Sequence, residues 1–283
     1  MLARGLLAAV ALACAQAQAQ AQAQSQPATV DLDTPFVTTP DAVVSAMLDL
    51  ARVAPGERLV DLGSGDGRIV IEAARRGALA HGVEIDPRLV ERSREAAQRA
   101  GLSARATFAT QDLFETGFAQ ADVVTMYLLP DVNARLAPRL YATLAPGARI
   151  VSHDYGLGDW PPDADLEVDA PGKTVGMTKR SRLMLWTVPA RVAGRWRGQA
   201  GEEPLALDLA QAWQHVSGTL RWRGGDYRFA DRRVVGTALA LDLRAEGRPP
   251  LELRLRASGD ADLEGEAREG GAAPRSVSLR RMQ

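Results

Sequence analysis

The sequence predicts an α/β protein: a doubly wound, mostly parallel sheet with a small C-terminal antiparallel β-rich region. Three observations carry that expectation. From Thr39 to Val188 short strands alternate with helical patterns. Those strands are apolar throughout, as a parallel sheet covered by helices on both faces requires. From Arg191 onward the pattern becomes an apolar–polar alternation punctuated by glycines, the mark of half-buried antiparallel strands joined by turns. A chain of 283 residues has room for one sizeable domain and one smaller one, read here as residues 31–190 and 191–283.

The elements follow in order. TTPDAVVSAMLDLARVAPG reads as a helix, with Thr39 as its cap, Pro40 in its first turn and Asp41 at its positive end. Val43, Met47 and Leu50 share one side, with Val44 and Leu48 beside them. A strand over Arg58–Asp61 breaks into glycines and a helix through IVIEAARRGA. A second strand covers Ala80–Ile85, Asp86-Pro87 starts the next helix, and Gly101 stops it. A third strand ends near Thr110, and a fourth covers Asp122–Tyr127. Asp131 opens a helical stretch in which Pro138 predicts a kink or two short helices in series. ARIVSHDY is a fifth strand. WPPDADLEVDAPGK is a loop with room for a short strand, and Ser181–Val188 is a firm one. The remaining strands suffice for a small sheet packed on the first domain or a partial barrel. Trp186, Trp196, Trp213 and Trp222 fall near the junction in sequence, where inter-domain packing explains them.

Composition excludes several classes. The chain is 46% hydrophobic, which fills a core and rules out disorder throughout. Its formal net charge of -1 excludes nucleic-acid binding through a strong overall positive field, although a local patch stays open. Only two basic residues are lysines, Lys173 and Lys179. The single cysteine, Cys14, leaves the chain after it without a disulfide or a thiolate zinc cluster. His81 and His215 stand alone, so a histidine metal site has no support. Residues 1–26 have the shape of a cleavable export leader: Arg4, an apolar run from Gly5 to Ala15, then an Ala-Gln alternation with several small-x-small cleavage registers. The apolar run is short of the roughly 20 residues a membrane span needs, and no later segment offers one. The expected location is the periplasm in a two-membrane cell, or the cytoplasm if the leader does not function.

The sharpest signal is Asp61-Leu62-Gly63-Ser64-Gly65-Asp66-Gly67. The glycines permit a sharp strand-to-helix turn and close backbone approach to a ligand. A phosphate-binding loop would finish in Lys-Ser or Lys-Thr, whereas Asp66-Gly67-Arg68 stands here. Asp61 and Asp66 would oppose a pyrophosphate and suit a cofactor with a cationic amine. Glu84, 23 positions after Asp61, ends the second strand, where an acid takes the hydroxyls of an adenosine ribose. Gln111-Asp112-Leu113 ends the third, with Asp112 placed to accept from an adenine amine and Leu113 against the ring. An amine, a ribose and an adenine, with no phosphate, are the parts of S-adenosylmethionine.

DLGSGDGRIVIEAA, with GVEIDPRLVERSREAA after it, resembles the class I methyltransferases that use S-adenosylmethionine, whose fold is Rossmann-like. The narrower resemblance is to small bacterial members and to the mitochondrial lysine N-methyltransferases of the adenine nucleotide translocase and the ATP synthase c-subunit. TTPDAVVSAMLDLA and YLLPDVNARLAPRLYATLAPGARIVSHDYGLGDWPPD extend it over about Phe36 to Pro189. The resemblance implies that Asp61 and the loop residues Gly63, Ser64, Gly65, Asp66 and Gly67 hold the methionine portion. It also implies that Glu84 binds the ribose, that Asp112 lies at the adenine, and that Thr39 closes the pocket. Tyr127, Leu128 and Leu129 fall where the superfamily places substrate-facing residues. Tyr127-Leu-Leu-Pro130 stands in place of the Asn-Pro-Pro-Tyr or Asp-Pro-Pro-Tyr signature of many nucleic-acid and glutamine methyltransferases, which weakens a nucleic-acid acceptor and leaves a lysine open. The mitochondrial members are membrane-anchored, so their substrates do not carry over.

Candidate bases or orienters for the acceptor are Tyr127, His153, Asp154 and Tyr155. Tyr127 is the best single choice, while His153 also fits an ordinary hydrogen-bonded strand end and Asp154 a loop cap. The expected partner is a protein or small-molecule methyl acceptor, with no nucleic acid. Two other readings compete: a catalytically degenerate cofactor-binding envelope protein, and a nucleotide-linked oxidoreductase. An exported enzyme also needs a supply of a cofactor made in the cytosol.

Overall fold

The computed structural model describes residues 36–282. The leader over residues 1–26 and the start of the first predicted domain lie outside the described residues.

The first part is a seven-stranded sheet in the order β3-β2-β1-β4-β5-β7-β6. Its strands are β1 (Arg58–Leu62), β2 (Leu79–Glu84), β3 (Ala106–Thr110), β4 (Val123–Met126), β5 (Arg149–His153), β6 (Ala164–Asp169) and β7 (Arg180–Thr187). The first five pair in parallel, while β7 runs antiparallel to both β5 and β6. Four helices alternate with the parallel strands: α1 (Asp41–Leu50), α2 (Arg68–Arg75), α3 (Pro87–Arg99) and α4 (Pro130–Thr143). The strand order reverses between β1 and β4, so the connections leaving these neighbours diverge and open a crevice at their carboxyl ends.

Local chemistry explains most boundaries. Asp86 caps α3 by accepting from the Arg88 N–H, and Pro87 occupies its first position. Val43, Val44, Met47 and Leu48 bury one face of α1 against the sheet. Two expectations need correction. Pro40, not Thr39, is the N-cap residue of α1; its carbonyl accepts from Val43 and Val44, and the Thr39 hydroxyl is turned to His153 instead. Pro138 does not split α4, which runs unbroken from Pro130 to Thr143, with Leu136, Ala137 and Leu140 buried around the proline. Packing of that apolar face outweighs the one backbone hydrogen bond a proline removes. The segment read as a loop with room for a short strand does form one, β6, at the sheet edge.

The second part is a closed eight-stranded antiparallel barrel, where a small sheet or partial barrel was expected. Its strands β8 (Gly194–Ala200), β9 (Glu203–Ala212), β10 (His215–Trp222), β11 (Gly225–Val235), β12 (Ala238–Leu243), β13 (Leu251–Ser258), β14 (Asp262–Glu269) and β15 (Arg275–Arg281) pair with their chain neighbours, and β15 returns to β8. Closure leaves no unpaired edge. Leucines at alternate positions, such as Leu251, Leu253 and Leu255, fill the interior. At Gly265 a Cβ would run into the Arg254 carbonyl of the paired strand, so only glycine allows this close approach.

The tryptophans divide differently from the expectation. Trp196 and Trp222 point into the barrel, because each falls on the inward register of its strand. The junction is built by Trp160, Trp186 and Trp213. Trp213 stacks on Trp160 with ring centroids 5.1 Å apart, and Tyr141 meets both edge-on. The Trp160 indole N–H donates to the buried Gln214 Oε1 at 2.9 Å, and Gln214 Nε2 donates to the Pro161 carbonyl at 2.7 Å.

Candidate active site

The crevice at the β1–β4 switch point is floored by the glycine loop. Gly63, Gly65 and Gly67 all have positive φ, which lets the chain turn from β1 into α2. The turn is tightly covered. A Cβ on Gly65 would lie 2.5 Å from the Phe36 ring, and one on Gly63 would lie 2.7 Å from Leu128. Gly63 and Ser64 donate their N–H groups to the Val83 carbonyl, tying the loop to β2.

Asp61 is 2% exposed at the end of β1. The register places it opposite Thr125 on β4, and the Thr125 hydroxyl donates to its Oδ1 at 2.7 Å. Burial pushes its carboxyl up to about 7; the Thr125 bond pulls the other way, and the charges of Glu84 and Asp66 add to the rise. A buried carboxylate with acidic neighbours and no basic partner is a site that a cation completes.

Asp66 differs. Both its oxygens are taken by Arg68, at 2.9 and 2.7 Å, and although burial acts to raise its carboxyl, Arg68 holds it below the ordinary value. Arg68 also donates to the Thr39 carbonyl at 2.7 Å, so the Asp66–Arg68 pair fixes the segment before α1 over the crevice. Glu84 accepts from the Gly65 N–H at 2.9 Å through one oxygen, and from Ile85 and Asp86 at 2.8 and 3.0 Å through the other. The carboxylate is thus oriented beside the loop with lone pairs to spare. Asp112 accepts from the Phe114 N–H at 2.8 Å in a turn past β3, and Leu113 is half-buried next to it.

A second group lies beyond β4 and β5. Tyr127 packs its ring on His153, with centroids 3.9 Å apart, and on Tyr155 at 6.3 Å. Its hydroxyl donates to Asp154 Oδ2 at 3.3 Å. Burial, then Asp154 and Tyr155, raise the phenol, which stays protonated. His153 is fully buried and bridges Thr39 Oγ1 at 3.2 Å and Ser181 Oγ at 2.8 Å. Burial lowers it to about 4, against the opposing charge of Asp154. A neutral ring with both nitrogens engaged is a spacer holding Thr39 and Tyr127, and a poor proton acceptor near neutrality. Asp154 takes a positive φ of 62°, and its Oδ1 accepts from the Arg182 N–H at 3.1 Å. Its Oδ2 also meets Lys173 Nζ at 2.8 Å. Burial acts to raise this carboxyl, but Lys173, the Arg182 N–H and His153 together leave it below the ordinary range. Among the described residues no cluster of His, Cys, Asp or Glu could hold a metal.

Residues 61–164 match the family model described as the ANTKMT methyltransferase domain. A protein-lysine N-methyltransferase of Saccharolobus islandicus is 39% identical over 137 residues, which is 48% of this chain and 85% of that protein. The chain belongs to this family of class I S-adenosylmethionine-dependent methyltransferases. The mouse lysine N-methyltransferases of the ATP synthase c-subunit and of the adenine nucleotide translocase are 39% and 40% identical to it, but the methyltransferase spans only 55% and 58% of their lengths. Among solved structures, an RNA methyltransferase from Salinibacter ruber in complex with S-adenosylhomocysteine is 46% identical with a TM-score of 0.50, covering 55% of this chain and 96% of that one. The sheet of the methyltransferase is accordingly the Rossmann-like fold of that class, and its cofactor is S-adenosylmethionine. The residues present fit it: a buried carboxylate lacking a cation, a glycine cradle, and an oriented acid at the end of β2.

Four residues of this site are not assigned to it by the sequence. Thr125 is the one polar residue in the otherwise apolar β4, a signal in itself. Arg68 follows Asp66 by two positions and neutralises it. Ser181 and Lys173 reach the site from β7 and the loop before it, far away in sequence.

Proposed function

We propose that the methyltransferase methylates an amine, most simply the side chain of a protein lysine. One observation carries the amine reading. Asp154 presents a single oxygen that receives a lysine ammonium at 2.8 Å and the Tyr127 hydroxyl at 3.3 Å. An ionised, half-buried carboxylate beside an aromatic face is a binding site for an ammonium group. The names of its archaeal and mouse relatives, lysine N-methyltransferases, support the same acceptor class.

When bound, the cofactor supplies an electrophilic methyl on a sulfonium. The chain's own residues do the rest. Asp61 and the Gly63–Gly67 loop hold the cationic methionine end, Glu84 the ribose hydroxyls, and Asp112 with Leu113 the adenine. Tyr127 and Asp154 orient the incoming amine, and His153, pinned between Thr39 and Ser181, keeps the Tyr127 ring in place. The leaving group is already activated, so alignment is the main catalytic contribution. The amine sheds its proton to solvent before it attacks; the charge of Asp154 opposes that loss, and the apolar surround of Leu128 and the aromatic rings favours it.

The proposal includes export of the mature chain to the periplasm of a two-membrane cell, motivated by the leader over residues 1–26. N-terminal sequencing of native protein tests it: a start between Ala15 and Pro27 supports export, and an intact Met1 on cytosolic protein refutes it. The acceptor is tested by incubating the mature chain with isotopically labelled cofactor and an envelope extract, followed by mass spectrometry. Label on lysine Nζ is expected. Label on RNA, a lipid, a phenol or a carboxylate refutes the amine. Cofactor binding without label anywhere refutes turnover and favours a binding module.

A further inference from the structure

The loop between β6 and β7 carries the only two lysines in the chain, Lys173 and Lys179. Only one of them turns inward. The Lys173 side chain is 11% exposed, and its Nζ donates to the Arg180 carbonyl at 2.8 Å while it pairs with Asp154 Oδ2 at 2.8 Å. That oxygen is the one bonded to Tyr127. The loop is seated on the segment closing the crevice: a Cβ on Gly172 would rest 3.5 Å from Pro40, and Lys173 N–H donates to the Ala170 carbonyl at 2.9 Å. Beyond Lys173 the loop is exposed, with Met177 fully so. A chain almost without lysine thus places one of its two lysine ammonium groups on the residues assigned to the acceptor.

We propose that Lys173 occupies the acceptor position of its own molecule and is itself a substrate, so that the methyltransferase methylates its β6–β7 loop in cis. This rests on the amine reading of the Tyr127–Asp154 site. After the ammonium proton is released to solvent, the Nζ lone pair forms the N–C bond. The S–C bond of the sulfonium breaks with its electrons kept on sulfur, giving the thioether product. Each methyl added removes one N–H from Nζ. Full methylation therefore removes both hydrogen bonds that Nζ donates, to Asp154 and to the Arg180 carbonyl, and leaves a bulkier fixed cation that can no longer donate to Asp154. Lys179 has a different position: its Nζ donates to the Lys173 carbonyl at 2.5 Å and stays on the exposed side.

The mature chain purified from an expression host is analysed by intact mass and peptide mapping. It is then incubated alone with cofactor carrying a deuterated methyl, at two protein concentrations. Methyl increments are expected on Lys173, with a rate per molecule independent of concentration. Lys173→Arg loses the label, and Lys179→Arg keeps it. A readout independent of the cofactor is reaction with an amine-acylating reagent, in which unmodified Lys173 reacts more slowly than Lys179. Label on Lys179 or the N-terminal amine, a rate that rises with concentration, or equal acylation of the two lysines overturns the proposal. If the same preparation labels lysines in the extract but not Lys173, the self-modification fails and the amine reading stands. If it labels neither, both fail.

Discussion

Asp61 makes cofactor affinity depend on pH in a direction that can be worked out beforehand. Its carboxyl is pushed up from 3.8 to about 7, first by burial and then by Glu84 and Asp66. In the free folded protein Asp61 therefore keeps its proton across that window, where the unfolded chain has lost it. Stability falls as pH rises through the window, by about 4 kcal/mol in total for a shift of this size. A bound ammonium reverses the balance by favouring the carboxylate, so binding releases a proton below neutrality. Affinity should then fall about tenfold per unit below about pH 7, and be roughly 90-fold weaker at about pH 5 than at about pH 8. Calorimetric titration of S-adenosylhomocysteine, repeated in buffers of different ionisation enthalpy, measures both the affinity and the proton released. S-adenosylhomocysteine keeps the amino group and lacks the sulfonium charge, so it isolates the amine contact. Asp61→Asn keeps an acceptor for the Thr125 hydroxyl and should bind weakly at every pH, with no proton release. A wild-type affinity that is flat with pH, or an Asn variant that binds as tightly as wild type, would refute the placement of the amine at Asp61.

Other expectations follow from the same geometry. Glu84→Ala removes the acid proposed to hold the ribose and should weaken cofactor binding roughly 10- to 100-fold by titration, while the melting transition of the first part persists. Tyr127→Phe removes the hydroxyl proposed to orient the acceptor with Asp154, so turnover should drop by about 10-fold or more with cofactor affinity unchanged; full activity would leave the ring a role and the hydroxyl none. Gly265→Ala drives a methyl into the Arg254 carbonyl and should destabilise the barrel by about 2 kcal/mol or more in denaturant unfolding, without altering cofactor affinity.

The sheet was legible because its signals are local. Apolar strands, Asp86-Pro87 at a helix start, and the Gly63–Gly67 turn each report on a few neighbouring residues. The same holds for Asp61, one residue before the end of β1, and for Glu84, which ends β2. What escaped depends on pairing across long stretches of sequence. The partner of Asp61 is Thr125, 64 positions away, and it is found only through the β1–β4 register. Thr39 looked like a helix cap because a Thr-Pro-Asp run normally supplies one, whereas a contact with His153, 114 positions on, takes its hydroxyl. Closure of the barrel turns on the pairing of β15 with β8, which alternation within either strand cannot reveal. Lys173 gave a compositional hint only, as one of two lysines, and its inward turn depends on the strand pair that presents it.

A crystal structure of the methyltransferase with S-adenosylhomocysteine tests the placement of the cofactor at Asp61 and Glu84. The amino group of the ligand should lie within hydrogen-bonding distance of the Asp61 carboxylate, or one water from it. The ribose hydroxyls should lie on Glu84, the adenine beside Asp112 and Leu113, and the sulfur should face the Tyr127–Asp154 pair. A ligand whose ribose lies away from Glu84, or whose sulfur faces away from Tyr127, would contradict it.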